Sequence, residues 1–256
     1  MPRFVETGMP VLSNSTASPY CAENAHLEGA IMMSKNQSRL QALVDLAATT
    51  GPIRVAVADA AQTVVLETVR DAAQLGLVEP RLVGDPKEIT KLCANLGWTI
   101  APRLIVARSD SEAAARAVAL VRSGEADAVM KGNLHTDIFM RALLDKDYGL
   151  RVPGQRVSHV FVVDVPDHDK LIGITDAAIN IAPDLVAKAQ ICQNAIDLFH
   201  MLGVTEPRVA VLSAVETVTP DIVSTLDAAS LTQMAQRGQI VGALVDGPLA
   251  FDNAIS

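Results

Sequence analysis

The chain alternates between short apolar runs and longer segments with apolar residues at helical spacing. The run IRVAVAD (53–59) is apolar almost throughout, and the helical segment after it, Ala61 to Gln74, places Val65 and Val69 on one face. Uninterrupted apolar runs are typical of parallel strands that are covered on both faces. Further runs, with helical segments among them, lie at 80–85, 103–107, 126–132, 208–214 and 239–248. The pattern predicts an α/β protein with mainly parallel sheets flanked by helices.

One stretch breaks this alternation. Residues 156–166 and 169–177 predict two consecutive strands joined by a Pro-Asp-His-Asp turn. We place a domain boundary just before them, which gives a first α/β domain at 36–155 and a second at 156–256. Residues 1–35 are rich in Ser, Asn, Pro and Ala without a clear period, and we interpret them as a loose leader.

Composition excludes several functional classes. The net charge is −8 and no dense block of Lys and Arg occurs, so nucleic acid is not an expected partner. The three cysteines, Cys21, Cys93 and Cys192, are far apart and predict reduced thiols rather than disulfides or a metal site. No apolar run approaches the roughly 18 residues of a membrane span, and no signal peptide is recognisable. We therefore predict a cytoplasmic protein that contacts neither membrane nor nucleic acid.

Small and polar residues stand at the carboxyl ends of four predicted strands, where α/β sheets bind ligands. In VMKGNLHTDIF, Lys131 supplies a positive charge, Gly132 permits close backbone approach, Asn133 follows it, and Thr136 can cap the next helix. This stretch predicts either a cradle for phosphate or carboxylate or an ordinary strand–loop–helix junction.

The segment GITDAAINIAPDL ends a strand with polar residues at Thr175 and Asp176 and adds Asn180 before a helix. Asp176 could accept hydrogen bonds from turn amides, and Asn180 could satisfy the start of the helix. A wall of a binding cleft is the equally supported alternative. Arg156, with Ser158 close behind it, is a candidate mobile cation at the domain junction or simply a solvated arginine.

Two later strand ends complete the set of candidates. RVAVLSAVETVTP places Ser213 and Glu216 at a strand end, but without the GxSxG pattern of a serine nucleophile, so ligand contact is expected. In VDGPLAFDN, Asp246 and Gly247 predict a turn first and a site second. A dinucleotide fingerprint, a phosphate-binding P-loop and a zinc motif are all missing from the sequence.

Five segments, taken in order, resemble the phosphate acetyl/butyryltransferase family: MKGNLHTD, RVSHVFVVDVP, GITDAAINIAPDL, VLSAVETVTP and RGQIVGALVDGPLAFDNAIS. Their sequences are closer to the butyryltransferase branch of that family. The resemblance runs from about Pro52 to the last residue. It implies a two-domain enzyme with the architecture of isocitrate and isopropylmalate dehydrogenases and a cleft between domains. It also implies a homodimer that converts acyl-CoA and phosphate to acyl phosphate and CoA, with CoA as a substrate and no metal or other cofactor.

Family members usually continue for several dozen residues beyond DGPLAFDNA and return to the first domain. Their expected catalytic residues, a Ser-Arg pair and an Asp, lie in that segment, so the resemblance assigns no catalytic residue before Ser256. We therefore expect a truncated form of doubtful activity. Two alternatives remain at this point: a non-catalytic subunit that binds CoA or acyl phosphate, and a decarboxylating dehydrogenase of the same architecture.

Overall fold

The structure, a computed structural model, describes residues 38–99, 103–166 and 168–255, so the predicted leader at 1–35 lies outside the described residues. Its first part alternates strands and helices, as the hydrophobic pattern predicts. The elements are α1 (Arg39–Thr50), β1 (Ile53–Ala58), α2 (Thr63–Gln74), β2 (Val78–Gly84), α3 (Pro86–Asn95), β3 (Arg103–Val106), α4 (Asp110–Arg122), β4 (Ala128–Lys131) and α5 (Thr136–Leu143).

The four strands of this part form one parallel sheet in the order β3-β2-β1-β4. All side chains of β1 from Val55 to Ala58 are buried, because helices cover both faces of the sheet. Successive side chains of a strand point to opposite faces. Val57 accordingly packs with Leu66 of α2, whereas Ala56 packs with Ala114 of α4. The continuous apolar run of β1 thus reflects burial from two sides.

The strand order reverses at β1. The chain proceeds outward from β1 to β2 and β3, and then crosses back to place β4 on the other side of β1. In open α/β sheets the connections leave in opposite directions at such a reversal, which opens a crevice beyond the carboxyl ends of the two strands. Here those ends are Ala58 of β1 and Lys131 of β4.

The rest of the chain begins with the predicted hairpin. Strands β5 and β6 pair antiparallel, and β7 and β8 form a separate parallel pair. Apolar residues at helical spacing after Pro183 predict a long helix with Ala189, Cys192 and Ile196 on one face, and these three side chains are buried in one cluster with Leu231 and Val245. The elements are β5 (Phe161–Asp164), β6 (Leu171–Ile174), α6 (Leu185–Met201), β7 (Arg208–Leu212), α7 (Val223–Gln236), β8 (Leu244–Leu249) and α8 (Phe251–Ala254).

The last strand differs from the prediction in both position and extent. It was expected at 239–248 with a turn at Asp246 and Gly247, but β8 begins at Leu244 and passes straight through both residues. The register against β7 shifts between Ala210 and Leu212, which is a place where a strand accommodates a proline. A Cβ atom on Gly247 would lie 2.7 Å from the carbonyl oxygen of Val211, so the strands approach closely because glycine has no side chain.

The helix after MKGNLHT is also shorter than predicted. The apolar spacing of DIFMRALLDKDYG predicts a helix as far as Gly149, but α5 ends at Leu143. The carboxylate of Asp145 accepts hydrogen bonds from the backbone N–H groups of Asp147 and Tyr148, at 2.9 and 2.8 Å. An aspartate that binds the amides just after it favours a turn over a helix.

The Asp164 carboxylate of β5 binds the start of helix α1. Oδ2 of Asp164 on β5 accepts hydrogen bonds from the backbone N–H of Arg39 at 2.7 Å and the hydroxyl of Ser38 at 3.0 Å. The Arg39 guanidinium pairs with the other oxygen at 3.2 Å. Burial would raise the pKa of Asp164, but these bonds outweigh it and lower the pKa. A residue distant in sequence thus satisfies the start of α1.

The two cysteines that the structure describes are free thiols in the core. Cys93 and Cys192 are buried free thiols, and burial raises the pKa of both, that of Cys192 to about 11. Cys21 lies outside the described residues. Within the described ranges, no helix has the length and apolar character that crossing a membrane requires.

Candidate functional site

A crevice of about 330 Å³ opens at the carboxyl ends of β1 and β4, where the strand order reverses. Its volume falls in the range of small-molecule sites. Three residues predicted from the sequence, Lys131, Gly132 and Asn133, lie in it. The complete lining is Gln62, Asp110, Lys131, Gly132, Asn133, Leu134 and His135. Topology and residue type therefore select the same place.

The loop after β4 is held tightly against the end of β1. The N–H of Gly132 donates to the carbonyl of Ala58 at 2.8 Å, and the N–H of Asn133 donates to the carbonyl of Asp59 at 2.7 Å. A Cβ atom on Gly132 would lie 2.1 Å from the Asp59 carbonyl oxygen. The close backbone approach predicted at Gly132 is thus observed, but toward a neighbouring strand. It fixes the position of Lys131 and Asn133.

Two helices begin at this crevice without a side-chain cap. Gln62 precedes α2 and His135 precedes α5, and neither side chain makes a capping hydrogen bond. Thr136 was predicted as the cap, which is wrong: His135 takes the extended conformation, so Thr136 is the first residue inside the helix. The first N–H groups of a helix carry partial positive charge and attract anions. Together with Lys131 they make the crevice suitable for an anion.

Two carboxyl groups lie at or near the crevice. Asp110 lines it directly, and Asp59 follows β1 with a left-handed φ of 55°. Burial raises the pKa of Asp59, the negative charges of Asp110 and Glu88 raise it further, and a hydrogen bond from the Ala61 N–H opposes them. Sequence reasoning missed Asp59, Gln62 and Asp110. The polar end of IRVAVAD was the available signal for Asp59.

A second group joins the residues predicted around the hairpin. The Arg156 guanidinium donates to Oδ1 of Asn180 at 2.9 Å, and the Asn180 amide donates to Asp176 at 2.6 Å. The hydroxyl of Thr175 donates to the carbonyl of His159 at 2.7 Å. Asn180 therefore binds the preceding loop, whereas Asp184 caps α6, so the expectation that Asn180 satisfies the helix start is wrong.

Asp176 is the centre of this second group. Its Oδ1 accepts the N–H groups of Ala178 and Ile179, both at 2.9 Å, as predicted for a turn carboxylate. Its Oδ2 accepts the N–H of His159 at 3.3 Å. Burial would raise the pKa of Asp176, but these bonds and the Asn180 amide outweigh it and lower the pKa to about 2. The group is an ionised carboxylate with its donors already in place.

Asn194 of α6 fixes Ser158 in the same region. Its side-chain amide donates to the Ser158 hydroxyl at 2.9 Å and to the carbonyl of Arg156 at 2.8 Å. Ser158 is therefore held at the start of the hairpin segment, close in sequence to the arginine. The helix thus positions the backbone that carries the candidate cation.

A third group lies around β7 and β8. The hydroxyl of Ser213 is 2.7 Å from that of Ser224, a pair that supplies no base for a nucleophile. Glu216 accepts a hydrogen bond from the side chain of Asn253, and Asp246 accepts one from the N–H of Gly247 at 2.9 Å. These hydrogen bonds connect residues within each group. Convergence of the three groups on one groove stays a prediction.

Comparison with known proteins gives the family. Residues 103–256 match the family model described as "Phosphate acetyl/butaryl transferase". A phosphate acetyltransferase of Rhizobium meliloti is 48% identical over 219 residues, which cover 85% of this chain and 69% of that protein. The chain belongs to this family. A phosphate butyryltransferase of Clostridium acetobutylicum is 44% identical over 204 residues, which cover 79% of this chain and 67% of that protein.

Solved structures agree with the phosphate acetyl/butyryltransferase fold. A branched-chain phosphotransacylase from Enterococcus faecalis V583 superposes with a TM-score of 0.64 at 26% identity, covering 78% of this chain and 69% of that chain. A phosphotransacetylase from Streptococcus pyogenes, at 20% identity, has a TM-score of 0.69 and covers 86% of this chain and 74% of its own. The predicted α/β class is confirmed, and the similarity to dehydrogenases stays a prediction.

Proposed function

We propose that this chain transfers an acyl group between CoA and inorganic phosphate, and that the crevice between β1 and β4 receives the phosphate. Family membership supports the reaction, since relatives are named phosphate acetyltransferase and phosphate butyryltransferase. The single structural observation that carries the site is the meeting of Lys131 with two uncapped helix N-termini at the reversal of strand order. None of the relatives named above is a dehydrogenase.

The reaction requires a bound, oriented phosphate. One phosphate oxygen attacks the thioester carbonyl carbon, the carbonyl oxygen becomes an oxyanion, and the carbon–sulfur bond then breaks to release CoA thiolate. In the crevice, Lys131 and the first N–H groups of α2 and α5 neutralise the phosphate and hold it in place. The Gly132 contact with β1 keeps this arrangement rigid, which lowers the cost of positioning the ion.

The groups around Asp176 and Ser213 complete the proposal. We place Arg156, Ser158, Thr175, Asp176 and Asn180 on the wall that faces Lys131 across a cleft between two domains, 36–155 and 156–256. The Arg156 guanidinium suits a second phosphate group, because its planar donors bind phosphate oxygens in pairs. Further contacts with the CoA substrate are proposed for Thr136, Ser213, Glu216, Asp246 and Gly247. We also propose a cytoplasmic homodimer that needs no cofactor beyond CoA as substrate.

The test is release of CoA thiol from acetyl-CoA or butyryl-CoA on addition of phosphate. We expect release that depends on phosphate, and we expect Lys131→Ala to lower kcat/KM by about a hundredfold through loss of electrostatic stabilisation. Lys91→Ala is the control, because Lys91 is an exposed lysine of α3 outside the crevice lining. If neither this chain nor a version extended to the length of the Rhizobium meliloti relative releases thiol, the proposed function is overturned.

A further inference from the structure

An anion-binding crevice that contains a carboxylate needs an explanation. Asp110 lines the crevice together with Lys131, and its negative charge opposes any anion that enters. Capping does not account for this position, because Ser109 caps α4 through a hydrogen bond from the N–H of Glu112 at 3.3 Å. Glu112 already places a carboxylate in the first turn, where it accepts the N–H of Arg108 at 2.8 Å.

The chemistry of phosphate explains the carboxylate. At about pH 8, phosphate and sulfate have the same shape and two negative charges, but only phosphate still carries a proton. An ionised carboxylate is an acceptor and cannot donate. It can therefore accept the P–O–H of hydrogen phosphate, whereas against sulfate it meets only acceptor oxygens and repels them.

We propose that Asp110 determines specificity in this crevice, by accepting the proton-bearing oxygen of hydrogen phosphate and excluding fully ionised oxyanions such as sulfate. The inference rests on the proposed function, which puts phosphate in the crevice. It assigns different tasks to different residues of the crevice. Lys131 and the helix N-termini supply attraction, which every oxyanion shares, and Asp110 supplies the discrimination.

The surroundings of Asp110 support this division. Asp59, just after β1, lies close enough for the Asp110 charge to raise its pKa, so the two carboxyl groups are neighbours at this end of the sheet. In the described part of the chain, no three His, Cys, Asp or Glu side chains are placed to share a metal ion. Asp110 lines the crevice itself, and the ligand that its carboxylate favours is one that brings its own proton.

The test is calorimetric binding of phosphate and of sulfate at about pH 8 to the full chain, its Asp110→Asn variant and a control. Asparagine keeps the shape and replaces one oxygen with a donor. We expect the unaltered chain to bind phosphate at least about tenfold more tightly than sulfate. Asp110→Asn should reduce that ratio by about tenfold, because the variant loses the charge-assisted hydrogen bond from hydrogen phosphate and gains an N–H donor that sulfate can accept. Asp71→Asn, which alters an exposed aspartate at the far end of α2, should leave the ratio unchanged.

Equal affinity for the two ions in the unaltered chain, or an unchanged ratio in Asp110→Asn, would overturn the assignment. Far-ultraviolet circular dichroism confirms that each variant is folded. The two proposals fail in different assays. If the proposed function is wrong, no phosphate-dependent thiol release is observed. If only this inference is wrong, thiol release is observed but the preference for phosphate over sulfate is not. Absence of phosphate binding to the unaltered chain contradicts both.

Discussion

Replacing Gly132 by alanine tests whether the crevice depends on the close contact between β1 and the loop after β4. The new Cβ atom would meet the Asp59 carbonyl oxygen at 2.1 Å and the Ala58 carbonyl oxygen at 2.6 Å. Both contacts are with backbone, so no side chain can rotate away. Ordinary contact begins near 3.4 Å, and the loop must therefore move by more than about 1 Å.

That movement breaks two hydrogen bonds. Those from Gly132 and Asn133 to β1 are 2.8 and 2.7 Å long, and a displacement of this size takes them out of range. At about 0.5–1.5 kcal/mol each, their loss should lower the free energy of unfolding by about 1–3 kcal/mol. Because Lys131 and Asn133 move with the loop, we expect phosphate affinity to fall by tenfold or more, since misplacement by about 1 Å can cost as much as a hundredfold.

Urea unfolding measures the first effect and calorimetry with phosphate the second. Gly76→Ala is a matched control: φ at Gly76 is 73° and nothing lies within 4 Å of the added Cβ, so alanine should cost about 1 kcal/mol through backbone strain alone. We expect this control to lose stability but to keep full phosphate affinity. Unchanged phosphate affinity in Gly132→Ala would refute the reasoning, whatever its stability.

Two further predictions concern carboxylates outside the crevice. The pKa of Asp176 is about 2 in the folded chain, below the ordinary value near 4. The contribution of the ionised carboxylate to the free energy of unfolding is therefore complete above about pH 4 and is lost as the pH falls from about 4 to 2. Urea unfolding across this range should show a steeper loss for the unaltered chain than for Asp176→Asn, and parallel curves would contradict this. Asp164→Ala should accelerate hydrogen exchange of the α1 amides by about fivefold, through loss of its capping bonds, whereas Asp169→Ala, at a more exposed ion pair, should not. Equal rates in both variants would show that Asp164 does not hold α1.

Much of the fold could be predicted because burial on two faces leaves a direct record in the sequence. The run from Ile53 to Ala58 and the stripe of α6 both appear where they were expected. Local backbone and polar contacts account for the elements whose bounds differ from the prediction. Asp145 stops a helix whose apolar spacing would allow it to continue, and the register shift opposite Gly247 lets a strand pass through a sequence typical of a turn.

The candidate site likewise contains residues that the sequence predicts and residues that it does not. Lys131, Gly132 and Asn133 could be found because they directly follow an apolar strand, and ligands of α/β sheets bind at the carboxyl ends of strands. Asp110 and Gln62 could not, since each lies at the start of a helix and enters the crevice only through the strand order. That order is set by packing between distant segments, which a single sequence does not display. A carboxylate beside an anion site is likewise unexpected without the structure.

The anchoring of α1 by Asp164 also bears on the order of events during synthesis. Among the described elements helix α1 leaves the ribosome first, but none of its residues is buried, and a helix of 12 residues is marginal alone in water. Its N-terminal partner emerges some 125 residues later. We therefore expect α1 to be among the last of the described elements to become firmly ordered, although it is translated before the strands β1 to β8.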